Sequence, residues 1–323
     1  MNLPPKLSFA HLPTPLEPLP RLSKHLGGAE IWIKRDDQTG LAGGGNKTRK
    51  LEFLLAEAQA NSARTIITCG AAQSNHCRQT AAAAARNGFR CILVLRGDPP
   101  SKITGNILLD NLLGAEIVWS RNETRETVMQ RVYEEEKANG NDPYLIPLGG
   151  SNRIGAAAYA AAAKETREQC DSQPLSSSFL DGGRAGDGGR FTRICFASSS
   201  GGTHAGLAVG ARAVMPHTEV LGFSVDEPLA VLKSNVANIA TETADLLGLP
   251  FTFTAADISA NADYIGAGYA LIGDRERETI LLLAQREGIL VDPVYTGKAF
   301  GGMIDLIRRG VIGKTERVLF WHT

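Results

Sequence analysis

Leu41-Ala42-Gly43-Gly44-Gly45-Asn46-Lys47-Thr48-Arg49-Lys50 is the stretch on which the reading of this chain turns. Three glycines and an asparagine run into a lysine, and Leu51, Leu54, Leu55 and Ala58 then repeat at the i, i+3, i+4, i+7 spacing of a one-sided helix. Contiguous glycines cost chain entropy but let the backbone take strained turns or approach a ligand closely, so a bound molecule explains the run better than packing does. A lysine at the mouth of such a helix either holds a phosphate as a fixed charge or, with its amine depressed in pKa, forms a Schiff base.

Two nucleotide readings fail on spacing. Asn46-Lys47-Thr48 matches the end of G-x-x-x-x-G-K-[ST], but Asn46 precedes the lysine and Leu41 occupies the other glycine position. The glycines are contiguous instead of spaced as G-x-G-x-x-G, which removes the dinucleotide fingerprint.

Outward from this stretch, strand-like runs alternate with helix-length segments. A strand over 29–34 precedes it, and strands over 65–68, 91–95, 116–119 and 143–147 follow, separated by helices over 75–86, 103–113 and 123–137. An alanine-rich helix over 155–167 comes next. The alternation resumes with strands over 193–197, 219–225, 289–294 and 317–321 and helices over 203–213, 229–247, 276–286 and 298–308. This predicts an α/β fold of mostly parallel sheets covered by helices on both faces. The serine- and glycine-rich 171–190 has no periodicity and reads as a flexible connector.

Composition narrows the partners. The 323 residues are enough for two domains, and Lys plus Arg equals Asp plus Glu at 34 each, so no basic excess points to nucleic acid or an anionic membrane. Small molecules are the expected partners. Residues 1–10 lack the apolar core of a signal peptide and no run approaches the ~18 apolar residues of a membrane helix, which places the chain in the cytoplasm. Five scattered cysteines without a C-x-x-C pair predict reduced, packed thiols, and no histidine has a partner at the i+3 or i+4 spacing of a zinc motif, so no metal is expected.

Three more glycine loops lead from strand to helix. In Ser198-Ser199-Ser200-Gly201-Gly202-Thr203, hydroxyls and a helix N-terminus converge as in a phosphate cup, although such a turn also serves packing alone. In Gln73-Ser74-Asn75-His76 the serine and asparagine either cap the helix or face a ligand. In Asp292-Pro293-Val294-Tyr295-Thr296-Gly297-Lys298 the tyrosine is either packed or set in a crevice at the strand ends, and Tyr269 offers a second aromatic. A reactive lysine in one loop and an anion cup in another together suggest pyridoxal phosphate.

In this order, Ile33-Lys34-Arg35-Asp36-Asp37, Gly44-Gly45-Asn46-Lys47-Thr48-Arg49-Lys50-Leu51-Glu52, Gln73-Ser74-Asn75-His76, Ser200-Gly201-Gly202-Thr203 and the Asp292 to Lys298 motif resemble the 1-aminocyclopropane-1-carboxylate deaminase and D-cysteine desulfhydrase family. Its members are fold type II pyridoxal-phosphate enzymes related to the tryptophan synthase β subunit, and the resemblance covers nearly the whole chain. It implies that Lys47 is the Schiff-base lysine and Asn75 the partner of the pyridine hydroxyl. Lys50, Ser200, Gly201, Gly202 and Thr203 would hold the phosphate, and Ser74, Tyr269 and Tyr295 would line the substrate side. It also implies a homodimer, with a small domain of 49–160 inserted into a large one of 1–48 and 161–323, and the cofactor between them.

Family members that open the cyclopropane ring carry a glutamate after the motif tyrosine, paired with the pyridine nitrogen. Here that position is Thr296, as in the desulfhydrase-like members, where a second threonine in a terminal His-Thr-Gly-Gly also meets the nitrogen. This sequence reads His322-Thr323 at its end, so Thr323 is the matching contact, at a position prone to fray. The expected reaction is β-elimination on a small amino acid, D-cysteine giving pyruvate, hydrogen sulfide and ammonia. The rivals are release of sulfite from L-cysteate, whose enzyme resembles the chain around Thr39-Gly40-Leu41-Ala42-Gly43-Gly44-Gly45, the deaminase reaction itself, and a non-catalytic amino-acid or pyridoxal-phosphate binding protein.

Overall fold

Aliphatic and β-branched runs assemble into a six-stranded and a four-stranded sheet in the computed structural model, which describes residues 1–172 and 191–323. The larger sheet has the order β1 (Leu16–Pro18), β2 (Glu30–Arg35), β10 (Arg317–His322), β7 (Arg193–Ser198), β8 (Glu219–Ser224), β9 (Ser259–Asn261). All its neighbours are parallel except β1 with β2. The smaller, wholly parallel sheet has the order β5 (Glu116–Trp119), β4 (Arg90–Leu95), β3 (Thr65–Gly70), β6 (Pro143–Leu145). A mixed α/β fold with mostly parallel sheets is therefore present, as the alternation predicts.

The side-chain period of two explains how one strand serves two cores. On β10, Val318 and Phe320 join Ile31, Ile33, Phe300 and Met303 on one face, under α1 (Pro20–Leu26), α9 (Asp274–Glu287) and α10 (Thr296–Arg308). Leu319 and Trp321 face the other way, packing with Trp32, Tyr159 and Leu207 beneath α6 (Arg153–Ser172) and α7 (Gly202–Val214). The small sheet is sandwiched likewise by α2 (Asn46–Ala60), α3 (Asn75–Asn87), α4 (Gly105–Leu112) and α5 (Arg125–Ala138). One more helix, α8 (Leu229–Leu246), lies against α6 and α7.

Four features depart from the sequence reading. No strand forms over 289–294: the Asp292 carboxylate accepts the N–H groups of Val294, Tyr295 and Thr296 at 2.8, 2.7 and 2.9 Å, and Pro293 has none to offer, so the segment turns instead of pairing. The three-residue β1 and β9 are too short to show a period. Asp171 and Ser172 complete α6, and the rest of the 171–190 connector lies outside the described residues. The end of the chain is also better held than a terminal residue need be, because β10 is interior and His322 stands in register with Arg35 of β2.

All five cysteines are free and buried, and burial pushes each thiol up, Cys69 to about 11 for example, so none is a ready nucleophile. Among the described residues no helix is long and apolar enough to cross a membrane.

Candidate active site

The site rests on a buried ionic platform. Asp36, just after β2, is fully buried and accepts hydrogen bonds from Thr14 Oγ1 (2.8 Å), Arg49 Nε and Nη2 (2.9 and 2.8 Å), Tyr159 (2.7 Å) and Trp321 Nε1 (2.8 Å). Burial alone would raise its carboxyl pKa, but the charge and hydrogen bonds of Arg49 hold it below the usual range. Arg49 also pairs with Glu165, which takes the buried Lys34 ammonium at 2.5 Å.

This platform shapes the glycine loop above it. Gly45 N–H donates to the Asp36 carbonyl (3.1 Å) and to Thr39 Oγ1 (2.9 Å). Gly44 has φ +74, and a Cβ there would lie 2.0 Å from the Asp37 carbonyl oxygen, so only glycine fits. No side chain of its own caps α2; Gln79 of α3 does so, with Oε1 accepting from Thr48 N (2.8 Å) and Thr48 Oγ1 (2.9 Å). Lys47 and Lys50 are thereby fixed on the first turn of α2.

The strand-to-helix loops meet at a cleft of about 790 Å³. Lys47 projects into it half-buried, its Nζ 2.8 Å from Asn46 Oδ1. Burial lowers the amine to about 8, against the pull of Asp292 and with the help of Arg78. A free base is thus accessible near neutral pH, the condition for carbonyl chemistry at a lysine.

Next to it lies an anion cup. Lys50 is fully buried with Nζ 3.1 Å from the Gly149 carbonyl and 3.4 Å from Ser151 Oγ. Ser151 Oγ meets Ser200 Oγ at 2.8 Å and accepts from Gly202 N at 3.1 Å, while Asn46 Nδ2 donates to Thr203 Oγ1 at 3.0 Å. A Cβ on Gly202 would sit 2.7 Å from Ser151 Oγ and 3.0 Å from Lys50 Nζ, so the glycine keeps the cradle open. Burial and the neighbouring Lys47 push Lys50 well below its ordinary pKa, and an anion in the cup would reverse that. Hydroxyls, a lysine and the N-terminus of α7 form a donor set that fits a phosphate.

The opposite wall carries the other candidates. Ser74 caps α3, accepting from Cys77 N at 3.2 Å, which leaves its hydroxyl hydrogen free for the cleft. Asn75 follows it on the cleft wall. Tyr269 and Tyr295 hydroxyls meet at 2.6 Å, and burial raises the pKa of both. Buried Lys298 holds the Tyr269 loop by donating to the carbonyls of Ile265 (2.5 Å) and Gly268 (2.7 Å). Thr323 reaches the cleft. Thr296 does not: fully buried, its hydroxyl donates to Asp292 Oδ2 at 2.6 Å and accepts from Asp292 N at 3.0 Å. That hydroxyl is used to shape the turn that points Tyr295 inward.

Sequence reasoning missed Ser151, Arg78, Asp292 as the turn's acceptor, and Asn106. Gly149-Gly150-Ser151 carried a signal, being a further glycine turn at a strand end, and Arg78 lies one turn after Asn75 on α3. Asn106 carried none.

A half-buried amine of lowered pKa beside a phosphate-shaped cup, at the strand ends of an α/β fold, defines the class: a lysine site built for a phosphorylated carbonyl cofactor. Comparison with known proteins makes the class specific. Residues 7–323 match the model of the pyridoxal-phosphate dependent enzymes, and the chain belongs to that family. It is 42% identical over 325 residues to D-cysteine desulfhydrase of Salmonella typhimurium (strain LT2), a match covering 99% of this chain and 93% of that one. The D-cysteine desulfhydrase of Salmonella newport matches with the same identity and coverage. Among solved structures, an ACC deaminase homologue superposes with a TM-score of 0.86 at 36% identity, covering 99% of this chain and 91% of that one. Threonine deaminase isoform 2 of Solanum lycopersicum shares the fold, with a TM-score of 0.62 at 16% identity over 96% of this chain and 78% of that one.

Proposed function

We propose that this chain is a pyridoxal-phosphate-dependent lyase that removes the β-substituent of a small amino acid, converting D-cysteine and water to pyruvate, hydrogen sulfide and ammonia. The observation that carries the proposal is the Lys47 amine, of lowered pKa, set in one cleft with the Lys50–Ser151–Ser200 cup and the paired hydroxyls of Tyr269 and Tyr295. The names of the D-cysteine desulfhydrases it matches support the substrate. When bound, pyridoxal 5'-phosphate supplies a carbonyl for amines and a ring that takes up the electrons left by the departing α-proton.

The chain's own groups do the rest. Lys50, Ser200, Gly201, Gly202 and Thr203, joined by Ser151, would hold the phosphate. Lys47 Nζ, free base above about pH 8, would be the base that takes the substrate's α-proton. Ser74 Oγ–H and the first amides of α3 hold the substrate carboxylate, a stabilising place for an anion. One tyrosine hydroxyl of the 2.6 Å pair donates to the other, so the pair offers a single remaining hydrogen to the leaving group or substrate. Asn75, on the cleft wall, would meet the ring hydroxyl. With the Thr296 hydroxyl bound to Asp292, Thr323, which lines the cleft, would be the hydroxyl available to the ring nitrogen.

Release of sulfite from L-cysteate is the second reading, favoured by Arg96 and Arg125 on the cleft wall, two cations suited to a sulfonate. The proposal includes a small domain of 49–160 within a large one of 1–48 and 161–323, supported by the two sheets drawn from those segments, together with a homodimer in the cytoplasm. Light scattering and cell fractionation test the last two. The activity is tested by offering D-cysteine, L-cysteine, L-cysteate and the cyclopropane substrate and measuring pyruvate, sulfide, sulfite and 2-oxobutyrate. Pyruvate and sulfide from D-cysteine are expected. Sulfite from L-cysteate without sulfide from D-cysteine overturns the choice, and 2-oxobutyrate as main product restores the deaminase.

A further inference from the structure

Asn75 Oδ1 faces two donors, Arg78 Nη1 at 3.1 Å and Asn106 Nδ2 at 2.9 Å. A guanidinium has no acceptor, so the amide atom beside it is the oxygen, and the Asn75 –NH2 is turned away from the pair. Asn106 is itself locked. Its Oδ1 accepts from Arg78 Nη1 at 2.9 Å, and its Nδ2 also donates to the Gln73 carbonyl at 2.8 Å. Its backbone N–H donates to Gln73 Oε1 at 2.7 Å, and Gln73 Nε2 reaches the Thr104 carbonyl at 3.1 Å. A Cβ on Gly105 would lie 2.5 Å from Gln73 Oε1, so this docking of α4 against the loop before α3 is closely fitted. Arg78 Nη2 adds a bond of 3.2 Å to the Gly44 carbonyl, tying the glycine loop to the same cluster.

We infer that Asn106, which does not line the cleft, is a positioning residue that with Arg78 fixes the Asn75 amide so that its nitrogen is the donor offered to the cofactor's ring oxygen. The inference rests on the proposed pyridoxal-phosphate site and adds a sign to it: the amide presents hydrogen, never oxygen, to an oxygen that carries negative charge when ionised. Hydrogen bonds to charged partners are stronger than neutral ones, so the orientation matters to binding. Asn106→Ala removes one of the two donors, whereas Asn106→Asp places carboxylate oxygens against Asn75 Oδ1 and favours the flipped amide.

The test is a double-mutant cycle on the full chain, stripped of cofactor and titrated with pyridoxal 5'-phosphate while the visible absorbance of the bound form is followed. Asn106→Ala is expected to weaken binding about tenfold and Asn106→Asp by more, with the melting temperature of the cofactor-free chain lowered by only a few degrees. In an Asn75→Ala background the Asn106→Ala effect is expected to fall below about twofold. Equal effects in both backgrounds, or Asn106→Asp binding as well as Asn106→Ala, overturn the inference. Should Asn106→Ala not fold, Asn106→Ser completes the same cycle. A wild-type chain with no borohydride-sensitive visible band would instead sink the Lys47 reading, a separate outcome.

Discussion

Two polar regions meet at the first turn of α2 and are built in opposite ways. Beneath it, the Lys34, Asp36, Arg49 and Glu165 cluster is closed: Asp36 alone accepts five hydrogen bonds, and every charge has a counter-charge in contact. Above it, in the cleft, His76 Nδ1, Asp226 Oδ1 and His322 Nδ1 are buried with no partner among the described residues. Buried polar atoms are ordinarily satisfied, so those left open mark where another molecule completes the set. His76 shows this in detail. Thr68 Oγ1 spends its hydrogen on the Ile146 carbonyl, so the 2.8 Å contact has His76 Nε2–H donating and leaves Nδ1 as a bare acceptor lining the cleft. One region is closed and the other open, although they share a helix end and differ by single positions, Arg49 and Lys50.

The largest expected effect separates them most sharply. Lys47→Ala is expected to lower pyruvate formation by about a thousandfold or more, with loss of the borohydride-sensitive visible band, while the unfolding free energy stays within about 1 kcal/mol of wild type. Retained turnover would remove Lys47 from the chemistry. Arg49→Met should do the reverse. It strands the Asp36 carboxylate in the interior and is expected to cost about 3–5 kcal/mol in urea unfolding, because a buried ion that loses its partner keeps its desolvation penalty. If Arg49→Met unfolds like wild type, the platform is not a scaffold.

The positions that define each region differ in how far the sequence exposed them. That Lys47, Lys50 and the Ser200 to Thr203 turn would meet at one cleft was legible because glycine marks strand-to-helix turns, and such turns gather at the strand ends of an α/β fold. The use the fold makes of Thr296 was not legible, because one hydroxyl can serve either a ligand or a turn, and only geometry shows it bonded to Asp292. The parallel alternation was legible from period and composition, but the 289–294 strand was not correctly read, since its apolar residues look extended until Asp292 is seen gathering three N–H groups. Asn106 reaches Asn75 across 31 residues of chain, and no local pattern encodes that meeting.

Asp110 of α4 tests whether an unsatisfied buried group must always signal a ligand. Both its carboxylate oxygens are buried without a partner among the described residues, yet it does not line the cleft. Burial pushes its pKa up to about 7, opposed by Arg78. The folded chain therefore holds this proton to higher pH than the unfolded chain does. Its contribution to stability is complete below about pH 4 and is lost as the pH rises through about 7. Asp110→Asn is expected to flatten the stability profile between these limits, measured by urea unfolding at each pH. An unchanged slope would show the carboxyl to be ionised throughout.

The smallest effect tests a group that sits on the border of the two regions. The Tyr269–Tyr295 hydroxyl bond of 2.6 Å is a satisfied pair, like those of the platform, yet Tyr269 is 39% exposed at the cleft mouth and its loop is held independently by Lys298. If the bond is scaffold, Tyr269→Phe lowers stability and leaves turnover intact. If it belongs to the site, stability stays within about 0.5 kcal/mol, since an exposed hydroxyl returns to water at little cost, while kcat/KM falls about fivefold to tenfold. The second outcome is expected. Losing the Tyr269 hydroxyl releases Tyr295 from the arrangement in which one hydrogen is committed and one is offered, so the loss should fall on kcat more than on KM.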